Sequence, residues 1–176
     1  MNAPETTLPI LLREDSAGVA TLTLNRPAQF NSLSEELLAE LQATLNAIAT
    51  DASVRAVVIA GAGKAFCSGH DLKQMRANPG KDYQQKLFKQ CGKLMMTLTE
   101  MPQPVIARIH GIATAAGCQL VAMCDLAVAA HACNRHDLAR AQGEGDIVQP
   151  VTPCGCGADV GQGADGIAHI LGGAAL

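Results

Sequence analysis

Hydrophobic and polar positions alternate near the start of the chain and then change to a helical period. Residues 8–14 and 18–25 are rich in β-forming residues, and a turn signal separates them. Further along, apolar residues recur at helical spacing, at Leu37, Leu38, Leu41, Leu45 and Ile48. This pattern predicts two strands and then a helix. Either Ser32 or Ser34 is expected to cap the helix, and Ser32 with Glu35 fits a capping box.

Short apolar runs alternate with helical stretches through the middle of the chain. The runs are the kind that parallel sheets bury on both faces. The predicted elements are strands at 54–60, 105–109 and 125–130 and helices at 83–100 and 115–123. The order β–β–α–β–α–β–α–β predicts an α/β fold with right-handed crossovers.

The sequence changes character after residue 130. The last 46 residues hold nine of the seventeen glycines and no Phe, Tyr or Trp, and only residues 166–171 look locally ordered. Such a stretch buries too little apolar surface to offset its ordering entropy. We therefore expect a folded core at 1–130 and a Gly-rich, poorly ordered tail at 131–176. A shifted reading frame or a truncated gene product would give this change.

Composition and charge argue against several classes of protein. The net charge is −3 and no basic cluster occurs, which disfavours a nucleic-acid partner. No apolar run reaches membrane-spanning length, and residues 1–9 resemble neither a secretory signal nor a mitochondrial presequence. The seven cysteines, an odd number mostly in apolar stretches, favour reduced buried thiols. These features predict a cytoplasmic protein.

Two strand-to-helix turns carry the candidate chemistry. Residues 64–72 follow the strand at 54–60, and residues 110–120 follow the strand at 105–109. Both turns place small residues where a helix could begin, so that free backbone N–H groups can approach a ligand closely. Two such turns can direct two donors to one oxygen, as an oxyanion hole does. For either turn alone, tight packing of strand against helix is the alternative.

Four motifs in this order resemble the crotonase (enoyl-CoA hydratase/isomerase) superfamily. They are Asn-Arg-Pro at 25–27, Asn-Ser-Leu at 31–33, Phe-Cys-Ser-Gly-His-Asp-Leu at 66–72, and residues 107–126. The resemblance covers about residues 10–130 and is strongest to the enoyl-CoA hydratase domain-containing protein 3 type. It implies a spiral of ββα turns that binds an acyl-CoA thioester as substrate and needs no separate cofactor. It also implies assembly as a homotrimer or a hexamer.

The resemblance further implies roles for individual residues. The thioester carbonyl would accept hydrogen bonds from the backbone N–H groups of His70 and Ala116, which would stabilise an enolate. The implied substrate-binding residues are Lys64 and Lys73 near the CoA phosphates, Cys67 and Leu72 along the pantetheine and acyl path, and Gly117 in the second turn. For each lysine, an ordinary solvated side chain is the alternative.

Gln119 departs from the pattern of the family's hydratases. It stands where they place the first of two catalytic glutamates, and an amide orients a water but does not accept a proton as a carboxylate does. The second glutamate would lie beyond residue 130, where nothing resembles its segment. Two hypotheses follow: an enzyme of the hydratase, isomerase or hydrolase type, or an inactive fragment that binds CoA esters or associates with other subunits.

Other polar residues are weaker candidates. No metal site is predicted, because no standard zinc spacing is matched by His131, Cys133, His136, Cys154 and Cys156. Cys67 and His70 could form a nucleophilic pair, but no third group to orient them is evident. We expect Asp71 to cap the helix after the first turn and Asp125 to form a structural cap or a turn.

Overall fold

The computed structural model describes residues 9–130 and the backbone of residues 146–150. The predictions for the tail, including its disorder, the local order at 166–171 and the division into 1–130 and 131–176, fall largely outside these residues. They stay predictions. Among the described helices, none combines the length and the apolar character needed to cross a membrane.

The described part of the chain contains eight strands and four α-helices. In chain order they are β1 (Leu11–Ser16), β2 (Val19–Leu24), α1 (Glu35–Ala49), β3 (Ala56–Gly61), β4 (Ala65–Cys67), α2 (Leu72–Ala77), α3 (Lys81–Glu100), β5 (Val105–Ile109), β6 (Ile112–Ala113), α4 (Ala116–Ala122), β7 (Leu126–Ala130) and β8 (Asp146–Pro150). A short 3-10 turn at Pro27–Gln29 precedes α1.

Six of the strands form one sheet in the order β1-β2-β3-β5-β7-β8. β2, β3, β5 and β7 run parallel, while β1 and β8 are antiparallel to their neighbours. The predicted strands and helices within residues 9–130 are confirmed, with shifts of one to three residues at most ends. The backbone of β8 lies in the stretch where the sequence indicates little order.

β4 and β6 were not predicted from the sequence, and α2 was anticipated only as a helix that Asp71 would cap, without bounds. β4 and β6 form a separate two-stranded parallel sheet beside the main one. They contain three and two residues, and α2 contains six, which is too few for a periodic pattern to stand out. This small sheet is where both candidate turns lie.

Helices α1 and α3 pack on each other and cover the main sheet. The five apolar positions of α1 that follow the helical period are all fully buried. From α3, the buried side chains are Leu87, Cys91, Leu94, Met95 and Leu98. Burial of each large aliphatic side chain stabilises the fold by about 1.5–3 kcal/mol relative to its exposure. The α1–α3 layer, together with the buried side chains of the strands, thus forms the hydrophobic core.

The N-cap of α1 is Ser34, and the predicted capping box of Ser32 with Glu35 is wrong. Ser34 Oγ accepts a hydrogen bond from the Leu37 N–H at 3.3 Å. Ser32 is engaged elsewhere, because its carbonyl and hydroxyl oxygens accept from the Arg26 guanidinium at 2.6 and 3.3 Å. Since α1 begins at Glu35, Ser32 is also too far from the first turn to cap it.

Candidate functional site

The two turns lie side by side, as the sequence predicts. β4 and β6 pair in parallel, with Ala65 opposite Ile112 and Cys67 opposite Ala113. Just beyond the paired residues, the Thr114 N–H donates to the Cys67 carbonyl at 3.1 Å. Because β4 and β6 are parallel, the residues that follow them, at the start of α2 and the start of α4, lie at the same end of the small sheet.

Glycines allow the turns to approach one another. A Cβ on Gly117 would lie 2.1 Å from the Cys67 carbonyl oxygen. A Cβ on Gly69, whose φ is +90°, would lie 3.0 Å from Ala115 Cβ and 3.2 Å from Ala116 N. The tight packing that was the alternative for each turn is thus present. It is also what brings the backbone around His70 next to the amide of Ala116.

The His70 N–H points away from the segment that supports the first turn. Leu33 pairs with His70 as a parallel bridge: its N–H donates to the Gly69 carbonyl at 2.7 Å, and its carbonyl accepts from the Asp71 N–H at 3.1 Å. In such a bridge the central residue directs its own N–H and C=O to the opposite edge. For His70, that is the edge on which β6 pairs with β4.

The Ala116 N–H opens α4 after an unusual backbone conformation. Ala115 has φ 50° and ψ −124°, a region that favours glycine and costs other residues about 1–3 kcal/mol. The next amide, of Gly117, is already bonded to the Thr114 carbonyl at 2.8 Å. Within residues 9–130, neither the His70 N–H nor the Ala116 N–H donates a backbone hydrogen bond. Neither donor is therefore committed to the backbone in this part of the chain.

A partly buried ion pair secures the first turn. Arg26 Nη2 lies 2.8 Å from Asp71 Oδ2, and the two side chains are only 17% and 12% exposed. Asp71 also caps α2 by accepting from the N–H groups of Lys73 and Gln74. Burial raises the pKa of the Asp71 carboxyl, but the bonds from Arg26 and the two amides outweigh it and leave the pKa below its usual value. The predicted capping role is confirmed, whereas the link to Arg26 was not foreseen.

The side chain of Asn31 makes hydrogen bonds to three backbone groups around the first turn. It is fully buried and has φ 54°, and its Nδ2 donates to the carbonyls of Ala62 and Ala65 at 2.8 and 2.7 Å. Its Oδ1 accepts from the Arg26 N–H at 2.9 Å. The two N-terminal motifs of the resemblance are therefore the support of the first turn. Sequence reasoning singled them out without finding this role, because their partners lie 31 to 45 residues away.

Cys67 is a core residue. Its side chain has no exposed surface and belongs to the hydrophobic core, so it does not line a path open to a ligand, contrary to the prediction. Burial raises the pKa of its thiol to about 12, which keeps it protonated at neutral pH. In the described residues it forms no hydrogen bond with the His70 ring. The nucleophilic-pair alternative therefore has no support, and Cys67 acts as a small apolar filler.

Of the other predicted site residues, Gly117 is buried against Cys67, whereas Lys64, Lys73, Leu72 and Gln119 lie at the surface around the turns. Lys64 and Lys73 are exposed and flank the first turn, which fits both a phosphate contact and a solvated lysine. Leu72 is 63% exposed at the first position of α2. Gln119 is exposed on α4, one turn beyond Ala116. Its side chain has no hydrogen-bond partner in the part of the chain that the structure describes.

Two further predictions concern residues away from the turns. Asp125 has a structural role, as expected: its Oδ2 accepts from the Val105 N–H at 2.7 Å and its own N–H donates to the Val105 carbonyl, which ties the residue before β7 to the first residue of β5. The five His and Cys residues considered for a metal lie outside the described residues. Within residues 9–130, no group of three or more potential metal ligands is found.

Comparison with known proteins decides the family. The chain matches the family model described as Enoyl-CoA hydratase/isomerase over residues 14–140. The chain belongs to this family. It is 44% identical over 121 residues to the mitochondrial enoyl-CoA hydratase domain-containing protein 3 of Xenopus laevis, an alignment that covers 69% of this chain and 41% of that protein. The resemblance found in the sequence is confirmed.

Other family members show the extent of the similarity. The 1,2-epoxyphenylacetyl-CoA isomerase of Escherichia coli is 34% identical over 123 residues, which are 68% of this chain and 47% of the isomerase. A crystal structure of enoyl-CoA hydratase from Mycobacterium smegmatis superposes with a TM-score of 0.69 at 61% identity, over 70% of this chain and 48% of that one. The α/β fold is thus that of the crotonase enzymes. The chain spans less than half the length of these relatives.

Proposed function

We propose that this chain binds acyl-CoA thioesters and stabilises the oxyanion of the thioester in a hole formed by the N–H groups of His70 and Ala116. The observation that carries the proposal is the contact between the two turns, in which a Cβ on Gly69 would lie 3.2 Å from Ala116 N. Neither amide is used by another backbone group in residues 9–130. Membership of a family whose relatives act on CoA esters supports the choice of ligand.

The chemistry of a thioester explains why two fixed donors are useful. Addition to a conjugated enoyl group, or removal of a proton beside the carbonyl, moves negative charge onto the thioester oxygen. Preorganised N–H groups stabilise that charge without reorganising, and loss of one such donor reduces rates by about a hundredfold to a thousandfold. The CoA ester is the substrate in this scheme, with Lys64 and Lys73 near its phosphates and Leu72 beside its acyl chain.

The role proposed for Gln119 is to position a water molecule. Its amide does not accept a proton, so no residue is assigned to the proton transfer itself. Asp71 is the one carboxylate within the first turn, and its pairing with Arg26 and the α2 amides commits it to structure. This favours a second candidate function, in which the chain binds CoA esters or associates with other subunits but does not turn them over. Action in the cytoplasm, and assembly as a homotrimer or hexamer, belong to the proposal.

A thioester and a matched thioether test the oxyanion hole. Butyryl-CoA has the carbonyl oxygen that the two amides would bind, whereas S-butyl-CoA lacks it. Isothermal titration calorimetry should show tighter binding of the thioester by about threefold to thirtyfold, the equivalent of one or two hydrogen bonds. Equal affinities for the two compounds would refute the proposed hole.

Assays of turnover separate the two candidate functions. Hydration of crotonyl-CoA is measured for the unmodified chain and for Gln119→Glu, together with release of free CoA and migration of the double bond. Turnover by the unmodified chain excludes the inactive alternative. Activity that is gained only in Gln119→Glu shows that the hole is functional and that the carboxylate was the missing group. No turnover by either protein, with binding retained, supports the binding-only function.

A further inference from the structure

The side chain of His70 offers a second polar group beside its own amide. The ring is half-buried and packs against Phe88 of α3 in a T-shaped contact, with the centroids 5.3 Å apart and the planes at 73°. Its Nδ1 is buried and has no hydrogen-bond partner in the described part of the chain. Nε2 also makes no hydrogen bond in these residues, but unlike Nδ1 it is not fully buried. Nε2 is therefore the ring nitrogen that reaches the surface.

Burial fixes the protonation state of this ring. Removal from water disfavours the charged form and lowers the pKa of His70, so the imidazole is neutral at pH 7. A neutral imidazole carries one N–H and one lone pair. An orphaned N–H inside a protein is rarer than an orphaned acceptor. The lone pair therefore belongs on buried Nδ1 and the N–H on Nε2, where it faces outward.

The residue that supplies one of the two proposed backbone donors therefore also carries a side-chain donor. Resting on the proposed function, we propose that His70 Nε2–H donates a hydrogen bond to an oxygen substituent of the acyl group near its thioester end. The substrates preferred by the site would be CoA esters that carry a hydroxyl or carbonyl oxygen on the second or third carbon.

The backbone amide and the ring belong to one residue. In the proposed complex, a thioester oxygen bound to that amide would therefore bring the next carbons of the acyl chain close to the residue that carries Nε2. Exposed apolar surface lies close by, because Phe88 contacts the ring and is 50% exposed. Leu72, two residues further on, is 63% exposed. The remainder of an acyl chain can pack there while the polar substituent binds Nε2.

Substitution of His70 separates the side chain from the backbone donor, since every residue except proline retains the amide N–H. Calorimetric titrations of the full chain compare 3-hydroxybutyryl-CoA with butyryl-CoA, which differ only by the hydroxyl. We expect the unmodified protein to bind the hydroxy ester about threefold to tenfold more tightly, the value of one neutral hydrogen bond. His70→Phe keeps an aromatic ring against Phe88 but has no donor, and should bring that ratio to about one. His70→Gln, which has an amide donor, should restore part of it.

The ratio of the two affinities distinguishes recognition from packing. A purely structural role of the ring would change binding of both esters alike and leave their ratio unchanged. A ratio of one in the unmodified protein, or a ratio kept in His70→Phe, would overturn the inference while the thioester-against-thioether result still stood. If neither ester bound more tightly than free CoA, the proposed function would fail, and this inference with it.

Discussion

The contact between Gly117 and Cys67 provides the sharpest test of how the two turns are held together. In Gly117→Ala, the new Cβ would lie 2.1 Å from the Cys67 carbonyl oxygen and 2.8 Å from its carbon. Ordinary contacts begin near 3.4 Å, so the turns must separate by about 1.3 Å. The carbonyl cannot simply rotate away, because it also accepts the Thr114 N–H.

Two effects of opposite sign determine the stability of Gly117→Ala. Overpacking of this kind costs about 1–3 kcal/mol. Alanine is a better helix former than glycine by about 0.8–1 kcal/mol, which offsets part of that cost within α4. Because the obstacle is backbone, we expect the overpacking to dominate, with a net loss of about 1–2 kcal/mol. Separation of the amides by about 1 Å should also weaken butyryl-CoA binding and lower any turnover by up to about a hundredfold.

Gly92→Ala is the matched control. Gly92 lies inside α3, and a Cβ there would meet nothing within 4 Å. The same substitution should therefore stabilise the protein by about 0.5–1 kcal/mol. Urea unfolding followed by circular dichroism measures both variants against the unmodified chain. The reasoning is refuted if Gly117→Ala proves as stable as Gly92→Ala, since helix propensity would then outweigh the contact between the turns.

Three further predictions concern the support of the site. Asp71→Asn keeps the cap of α2 and loses the charge pair with Arg26, whereas Asp71→Ala loses both. In urea unfolding, the free energy of unfolding of the alanine variant should be lower than that of the asparagine variant by about 1 kcal/mol. Equal stabilities of the two variants would contradict the capping role. Ser34→Ala should cost about 1 kcal/mol in the same assay, and more than Ser32→Ala if Ser34 alone caps α1. Since burial lowers the pKa of His70 below its ordinary 6.5, the unfolded chain takes up a proton first as pH falls. Stability should therefore decrease below about pH 6.5, by at most ~1.4 kcal/mol per pH unit from this group, and a pH dependence that is unchanged in His70→Phe would disprove it.

The parts of the fold that could be predicted are those in which one segment carries its own pattern. In α1 and β5, the side chains that the sequence pattern indicates as apolar are the ones that the fold buries. The helical period of α1 and the short apolar run of β5 were therefore sufficient to predict these two elements. β4 and β6 carry no such pattern. They are strands only because 45 or so residues of intervening chain return to pair Cys67 with Ala113. Local sequence does not encode that pairing.

The candidate site divides in the same way. Small residues at the ends of two strands were enough to locate the turns, whereas the His70 and Ala116 amides were named through the family resemblance and stay a prediction. The direction of the His70 N–H, however, depends on its bridge to Leu33, and the buried Asn31 amide bonds to carbonyls more than 30 residues away. The burial of Cys67 likewise follows from the turn that closes over it. Such facts depend on partners that a linear reading does not supply.

The two donors of the proposed hole belong to the main chain, and this has a genetic consequence. Point mutations at codons 70 and 116 replace a side chain but, proline apart, leave the N–H in place. In the proposed site, selection would therefore vary the side chain at position 70 while the two backbone donors are inherited unchanged. Mutations that threaten the hole should instead fall on residues that touch no ligand, such as Gly69, Gly117 and Asn31. Substrate preference and oxyanion binding would then be separately mutable traits.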